Sequence, residues 1–246
     1  MESRPCLPAP PRLSSLLADR PLALFLDFDG TLVEIADGPD AIAVPPGLAD
    51  RLQALAARLN GALALVSGRS IANLTDFLGP LPLHLAGSHG GHVLAPDGAP
   101  LREAAPLPSP VVDALGTFAQ ANGLLHERKA HGGALHYRAR PDLEGGTRRF
   151  ADALASEHGL ATKSGKCVIE LVWPGADKGG AVDLLSSEPP FAGALPVFIG
   201  DDVTDEDGFA ACARHGGFGI AVGERESAAA RYSLPSVKDV HAWLQL

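Results

Sequence analysis

Long apolar runs are missing from this chain of 246 residues: none approaches the roughly 20 that a membrane-spanning helix needs, so no transmembrane segment is expected. The stretch from Met1 to Arg20 is broken by prolines and holds no continuous apolar core of signal-peptide length, so a cytoplasmic protein is expected. Cysteine is scarce too. Cys6, Cys167 and Cys212 do not cluster like metal ligands and cannot all pair, which fits reduced thiols. Positive charge is in deficit, 20 Lys and Arg against 29 Asp and Glu, and the net −9 argues against nucleic acid as the main partner because its phosphates would meet a repelling surface. An anionic substrate must therefore be met by individually placed cations. The pairs Gly132-Gly133 and Gly216-Gly217 form no dinucleotide fingerprint, so no nicotinamide cofactor is expected.

What is present is a regular alternation of short apolar runs and helical patterns, which favours a parallel sheet covered by helices. Leu22 to Leu26 reads as a first strand. Leu48, Leu52, Leu55 and Leu59 then mark one face of a helix over Pro46 to Asn60, closed by Gly61. A strand at Ala62 to Val66, a helix at Ser70 to Leu78, a strand at Leu83 to Ala86 and a hairpin around Pro96-Asp97-Gly98 follow. The pattern returns with a helix after Lys178, strands at Pro196 to Ile199 and Phe218 to Val222, a helix from Asp205 between them, and a C-terminal helix. Between the halves the order changes to helix, two strands, helix, two strands, with prolines at 106, 108 and 110 on one side and Pro174-Gly175 on the other. The expected organisation is a Pro-rich tail over 1–18, a core over 19–102 and 174–246, and an inserted smaller α/β unit over 103–173.

The chemistry starts at Asp27-Phe28-Asp29-Gly30-Thr31, directly behind the first strand. Residues two apart on a strand project to one side, so Asp27 and Asp29 begin close together, and Gly30 permits a sharp exit. Such a pair is costly without a cation or a proton between its carboxylates. Three more elements stand at strand ends or open a helix: Ser67-Gly68-Arg69, Lys178 in Asp177-Lys178-Gly179-Gly180, and Gly200-Asp201-Asp202-Val203-Thr204-Asp205. In an open α/β sheet the crevice beyond the carboxyl ends of the strands binds ligands, so these loops converge on one site.

Taken in order, the four elements resemble the four motifs of the haloacid dehalogenase superfamily, which implies a Rossmann-like core. Phosphate monoester hydrolysis needs acceleration of up to ~10²¹-fold, and general acid–base help supplies about 10²–10⁴-fold, so a metal, positioning and a covalent intermediate must carry the rest. On this resemblance Asp27 is the nucleophile, forming an aspartyl-phosphate, and Asp29 is the proton shuttle. Asp27, Asp201 and the backbone carbonyl of Asp29 would bind the metal, with Asp202 and Asp205 as further members of the metal site. Hard carboxylates without Cys or His fit Mg²⁺ better than zinc. Asp205 is equally a candidate helix cap. Ser67 would donate to a phosphoryl oxygen, Gly68 and Arg69 would adjoin the substrate, and Lys178 would neutralise the phosphoryl charge.

At Glu127-Arg128-Lys129, His136-Tyr137-Arg138 and Gly165-Lys166-Cys167-Val168-Ile169-Glu170 the inserted unit closely resembles trehalose-6-phosphate phosphatases, and with the Gly87-Ser88-His89-Gly90 loop the resemblance spans most of residues 22–245. It implies trehalose 6-phosphate as a small-molecule substrate and a lid that binds the distal glucose through Glu127, Lys129, Arg138, Lys166 and Glu170; separately, a monomer is expected. Strand period puts Glu127 and Lys129 on one face, as it does Lys166 and Glu170. At His92 the chain departs from the family pattern, which has an acidic residue there. A related sugar-phosphate phosphatase is the nearest alternative. A receiver-like phospho-acceptor is disfavoured, because it has no use for a leaving-group acid at Asp29.

Overall fold

The computed structural model describes residues 7–36, 42–129, 131–165 and 167–246. In chain order the elements are α1 (Leu13–Asp19), β1 (Leu22–Leu26), α2 (Leu48–Arg58), β2 (Leu63–Val66), α3 (Ile71–Leu78), β3 (His84–Gly87), β4 (His92–Leu94), β5 (Pro100–Glu103), α4 (Ser109–Asn122), β6 (Leu125–Arg128), β7 (Gly132–His136), α5 (Glu144–His158), β8 (Ala161–Gly165), β9 (Val168–Val172), α6 (Lys178–Ser186), β10 (Leu195–Gly200), α7 (Glu206–Arg214), β11 (Phe218–Val222), β12 (Ala230–Leu234) and α8 (Val237–Leu244). Two compact units result, one from Met1–Arg102 with Asp177–Leu246, the other from Glu103–Ala176.

The first unit is built on a sheet in the order β12, β11, β10, β1, β2, β3, β4, β5. The six strands from β12 to β3 run parallel, and β4 turns back antiparallel to β3. Every residue of β1, β2 and β10 is buried, as strands covered by helices on both faces require. Their continuous apolar runs, not an alternating pattern, are the sequence trace of that burial. From β1 the chain winds outward through β2 and β3, and after the second unit it returns to β10 on the other flank of β1. The order therefore reverses between β1 and β10, which is where an open α/β sheet leaves a crevice at its carboxyl end.

Two elements were not expected from the sequence. The Pro-rich start carries α1, whose Leu13 is buried in the core while Leu16 and Leu17 pack against it. The main chain just before α1 is tied down: Ser233 donates through N and Oγ to the carbonyls of Pro8 and Leu7, and the Trp243 indole donates to Pro11 O at 2.8 Å. The partner in that contact, β12, reads Ala-Arg-Tyr-Ser-Leu, too mixed to stand out as a strand. Among the described residues no helix is long and apolar enough to cross a membrane.

The second unit holds an antiparallel sheet in the order β6, β7, β9, β8 with α4 and α5 on one face. Leu135, Ile169 and Leu171 from the strands bury against Val111, Leu115 and Ala151 from the helices, a core separate from that of the first unit. Register puts Glu127 opposite Ala134, Ala134 opposite Glu170 and Glu170 opposite Lys163, so one row of the other face carries the charged side chains. The unit ends at Ala176, three residues beyond the expected boundary at 173. Trp173 accounts for the difference: its indole donates to Ala105 O at 2.6 Å, and its carbonyl accepts from Ala176 N in a tight turn at 3.0 Å.

Candidate active site

The strand β1 delivers Asp27 to the sheet edge, where its N–H still bonds Ile199 O of β10 at 3.0 Å. The turn that follows is closed by Gly30 N donating to Val33 O at 2.7 Å, with Gly30 at φ 72°. A side chain at Gly30 would run into the carboxylate of Asp201. Glycine is thus demanded twice, by its left-handed backbone and by the close approach of the second acidic loop.

Three carboxylates meet here: ligand-type oxygens of Asp27, Asp201 and Asp205 all lie within 4.8 Å of one another. Lys178, the first residue of α6, reaches Asp27 Oδ1 at 2.9 Å and Asp205 Oδ1 at 2.6 Å, and all three of these residues are at most 4% exposed. Three carboxylates against one ammonium leave an excess of two negative charges. Hard oxygen donors with that excess suit a divalent cation, and the residues present fit one.

The charge states follow from this crowding. Burial raises the Asp27 carboxyl well above the ordinary range, against the opposing pull of Lys178 and with the help of Asp205 and Asp201. Burial likewise raises Asp205, and it moves Asp201, with Asp205 adding to the effect, up to about 6. Burial alone would depress the Lys178 ammonium, but the carboxylates of Asp27 and Asp205 more than offset it and hold the lysine charged.

Asp29 and Asp202 take other places. The Asp29 carboxylate is gripped at both oxygens by the Arg69 guanidinium, from Nε at 2.6 Å and from a terminal nitrogen at 2.7 Å. Arg69 also donates to Asn73 Oδ1 at 2.7 Å and lies over the rings of Phe28 and Phe77. Such a fork fixes the direction of Asp29 more firmly than a point charge could. The Asp202 carboxylate accepts from Val203 N at 2.7 Å, while Asp202 N donates to Asp205 Oδ2 at 2.8 Å, a reciprocal cap on the turn that leads into α7. Asp205 therefore serves as a capping residue and a member of the carboxylate cluster at once.

Ser67 follows β2, is 1% exposed, and accepts through Oγ from Arg69 N at 3.2 Å. Its carbonyl accepts from His89 N at 2.9 Å. A Cβ at Gly68 would stand 2.6 Å from the His89 ring, so the glycine lets the Ser88-His89 turn, with φ of 51° and 56°, close onto this loop. The first unit thus gathers Asp27, Asp201, Asp205 and Lys178 into one cluster and joins Asp29 to Arg69.

In the second unit Lys129 pairs with Glu170 at 2.9 Å, and Glu127 with His136 at 2.8 Å. Arg138 is exposed just beyond β7. Lys166 lies outside the described residues. Sequence reasoning does not single out Arg225, whose guanidinium bonds the backbone of the acidic loop, or Glu206, which accepts from that guanidinium and from Ala228 N and Ala229 N. The available signal was position: Arg225 sits in the loop after β11, at the same sheet end as the motifs.

A parallel sheet with this order of four loops and this acidic cluster defines the class, the haloacid dehalogenase superfamily. The fold is similar to that of a phosphatase of this superfamily from Bacteroides thetaiotaomicron, with a TM-score of 0.70 at 15% identity over 96% of both chains. The family model described as trehalose-phosphatase matches residues 25–238. The chain is 37% identical over 234 residues to the Escherichia coli (strain K12) protein named trehalose-6-phosphate phosphatase, covering 91% of this chain and 85% of that one. A solved structure titled as Aspergillus fumigatus trehalose-6-phosphate phosphatase aligns with a TM-score of 0.77 and 26% identity over 97% of both chains. The chain belongs to the trehalose-phosphatase family.

Proposed function

We propose that this chain hydrolyses trehalose 6-phosphate to trehalose and phosphate with the help of Mg²⁺, as a monomer in the cytoplasm. The observation that carries the reading is the buried Asp27 carboxylate, oriented by Lys178 at 2.9 Å and placed at the switch point of the sheet. An oxygen of Asp27 attacks phosphorus, the bond to the sugar O6 breaks, and an aspartyl-phosphate forms while Asp29, entering the step protonated and with one oxygen turned out of the Arg69 fork, protonates the leaving alkoxide. Asp29 then removes a proton from water as that water attacks phosphorus, which frees phosphate and restores Asp27. Mg²⁺, held by Asp27, Asp201 and the Asp29 carbonyl with Asp202 and Asp205 behind them, would neutralise phosphoryl charge. Ser67 and Lys178 donate to phosphoryl oxygens. Arg69 keeps Asp29 aimed and serves the phosphate end of the substrate.

Sugar recognition falls to the unit inserted between β5 and α6. A row of mixed charges at Glu127, Lys129 and Glu170, with Arg138 and Lys166 in the adjoining segments, suits hydroxyls, which both donate and accept. Phosphate release from trehalose 6-phosphate, sucrose 6-phosphate and glucose 6-phosphate, with and without chelator, tests the proposal. A site built to hydrogen-bond the second glucose should favour trehalose 6-phosphate over glucose 6-phosphate by at least about 100-fold in kcat/KM. Near-equal rates, or turnover that survives complete chelation, would overturn it.

The charge state of the cluster adds a pH-dependent expectation. The Asp201 carboxyl, raised to about 6, contributes stability to the metal-free protein below its ordinary range and loses it as pH rises through about 6. A divalent cation needs the ionised form, so protons compete with it below that value. The rise in melting temperature produced by saturating Mg²⁺ should be largest near pH 7.5 and shrink steadily toward pH 5. Thermal melts across that range check it, and a pH-independent rise would remove Asp201 from the metal site.

A further inference from the structure

We propose that Arg225, braced by Glu206, is a positioning residue that aims Asp201 by clamping the main chain of the acidic loop. The inference rests on the metal-dependent reading above.

The β10–β11 ladder ends at Gly200 paired with Ala221, so the next two carbonyls, of Asp201 and Asp202, lie beyond the last strand pair. Arg225, in the loop after β11, meets both. Its Nε donates to Asp201 O at 3.0 Å, and one terminal nitrogen donates to Asp202 O at 3.0 Å and to Glu206 Oε1 at 2.7 Å. The other terminal nitrogen donates to Glu226 O at 2.9 Å. Glu206, at the start of α7, uses Oε2 to accept from Ala228 N and Ala229 N at 3.1 and 2.8 Å. The Arg225 loop is therefore tied to the helix that follows the acidic residues, and Arg225 is tied back to those residues themselves.

The need for a clamp follows from the charges. Asp27 and Asp205 are held directly, through their side chains, by Lys178. Asp201 is held through its main chain. Mutual repulsion within the cluster pushes outward on the Asp201 loop, and two hydrogen bonds on consecutive carbonyls resist that displacement while placing a positive charge behind the acids. A lysine offers no planar fork and cannot reproduce this set of acceptors. Groups that orient metal ligands from behind are worth about 10–100-fold in metal affinity.

The test is calorimetric binding of Mg²⁺ alone to the full chain, without substrate, for wild type, Arg225→Ala, Arg225→Lys and Glu206→Gln. Arg225→Ala should raise the Mg²⁺ Kd by about tenfold, with Arg225→Lys and Glu206→Gln intermediate. In turnover the half-saturating Mg²⁺ concentration should rise in parallel, while kcat at saturating Mg²⁺ and KM for the sugar phosphate stay within about twofold. Arg214→Ala, which breaks the Arg214–Asp183 pair between α7 and α6, serves as the control with unaltered Mg²⁺ affinity. If Arg225→Ala does not fold, Arg225→Lys and Glu206→Gln carry the test. An unaltered Mg²⁺ Kd alongside a lowered melting temperature would overturn the inference, as would a loss of kcat that Mg²⁺ does not restore. A wild type that binds no Mg²⁺ would instead remove the metal from the proposed function and the clamp with it.

Discussion

Asp27→Asn is expected to abolish turnover at every substrate concentration while leaving the metal-free protein as stable as wild type or more so. An amide oxygen cannot form the acyl-phosphate that an obligate nucleophile must form, and the loss in kcat should be on the order of 10⁴-fold or more, beyond recovery by added Mg²⁺. Stability moves the other way because the Asp27 carboxylate is buried beside two others, and burial together with their charge works against its ionised form. The amide removes one of three crowded negative charges. Lys178 keeps its bond of 2.6 Å to Asp205, and the amide oxygen can still accept from it. Phosphate release and thermal melts in chelator separate the two effects. Measurable turnover would move the nucleophile elsewhere. An inactive variant whose melting temperature drops by more than roughly 5 °C would mean that Asp27 is chiefly structural, since a loss of that size corresponds to about 1.3–2.5 kcal/mol in a chain of this length.

Asp27 can be placed at the sheet edge from sequence because β1 is buried on both faces. Burial forces an unbroken run, Leu22 to Leu26, and any acid at its end stands out. The same holds for Asp201 behind β10, and for Ser67 behind β2. Local pattern could place these residues at one sheet edge but could not divide their contacts. The Asp29–Arg69 pair joins residues 40 positions apart, and the Lys178–Asp205 pair joins residues 27 apart, so neither leaves a periodic trace. The resemblance puts Asp202 and Asp205 in the metal site and the sequence equally offers Asp205 as a helix cap, but the reciprocal bonding between the two is visible only in the turn into α7. The start of the chain illustrates the opposite limit. Its prolines suggested a tail, yet α1 is helical because Leu13, Leu16 and Leu17 find a core to bury against, and that core is assembled from distant elements. For Arg225 position after β11 is the one signal, because its two carbonyl acceptors carry no side-chain signature.

Lys178→Met should give the largest loss of stability of any single change in the site. Lys178 is 2% exposed and its ammonium sits between Asp27 and Asp205, and methionine keeps most of the volume while deleting the charge. Removing one partner of a buried ion pair typically costs about 3–5 kcal/mol, because the charges left behind stay desolvated. At neutral pH this corresponds to a fall in melting temperature of about 6–20 °C. The sign of its pH dependence separates charge from packing. Burial already raises the carboxyls of Asp27 and Asp205 with Lys178 present, and without it both must rise further. Protonation then stabilises the variant relative to wild type, so the deficit should be full above the raised carboxyl range and shrink as pH falls through it. A divalent cation should repair part of the same deficit at pH 7.5 by supplying the missing positive charge, without restoring turnover, since the proposed donor to the phosphoryl oxygens remains absent. Melts at pH 5.5 and 7.5 with and without Mg²⁺ decide the matter. A deficit of equal size in all four conditions would mean that Lys178 acts through its packing alone, and the electrostatic account of the cluster would fall with it.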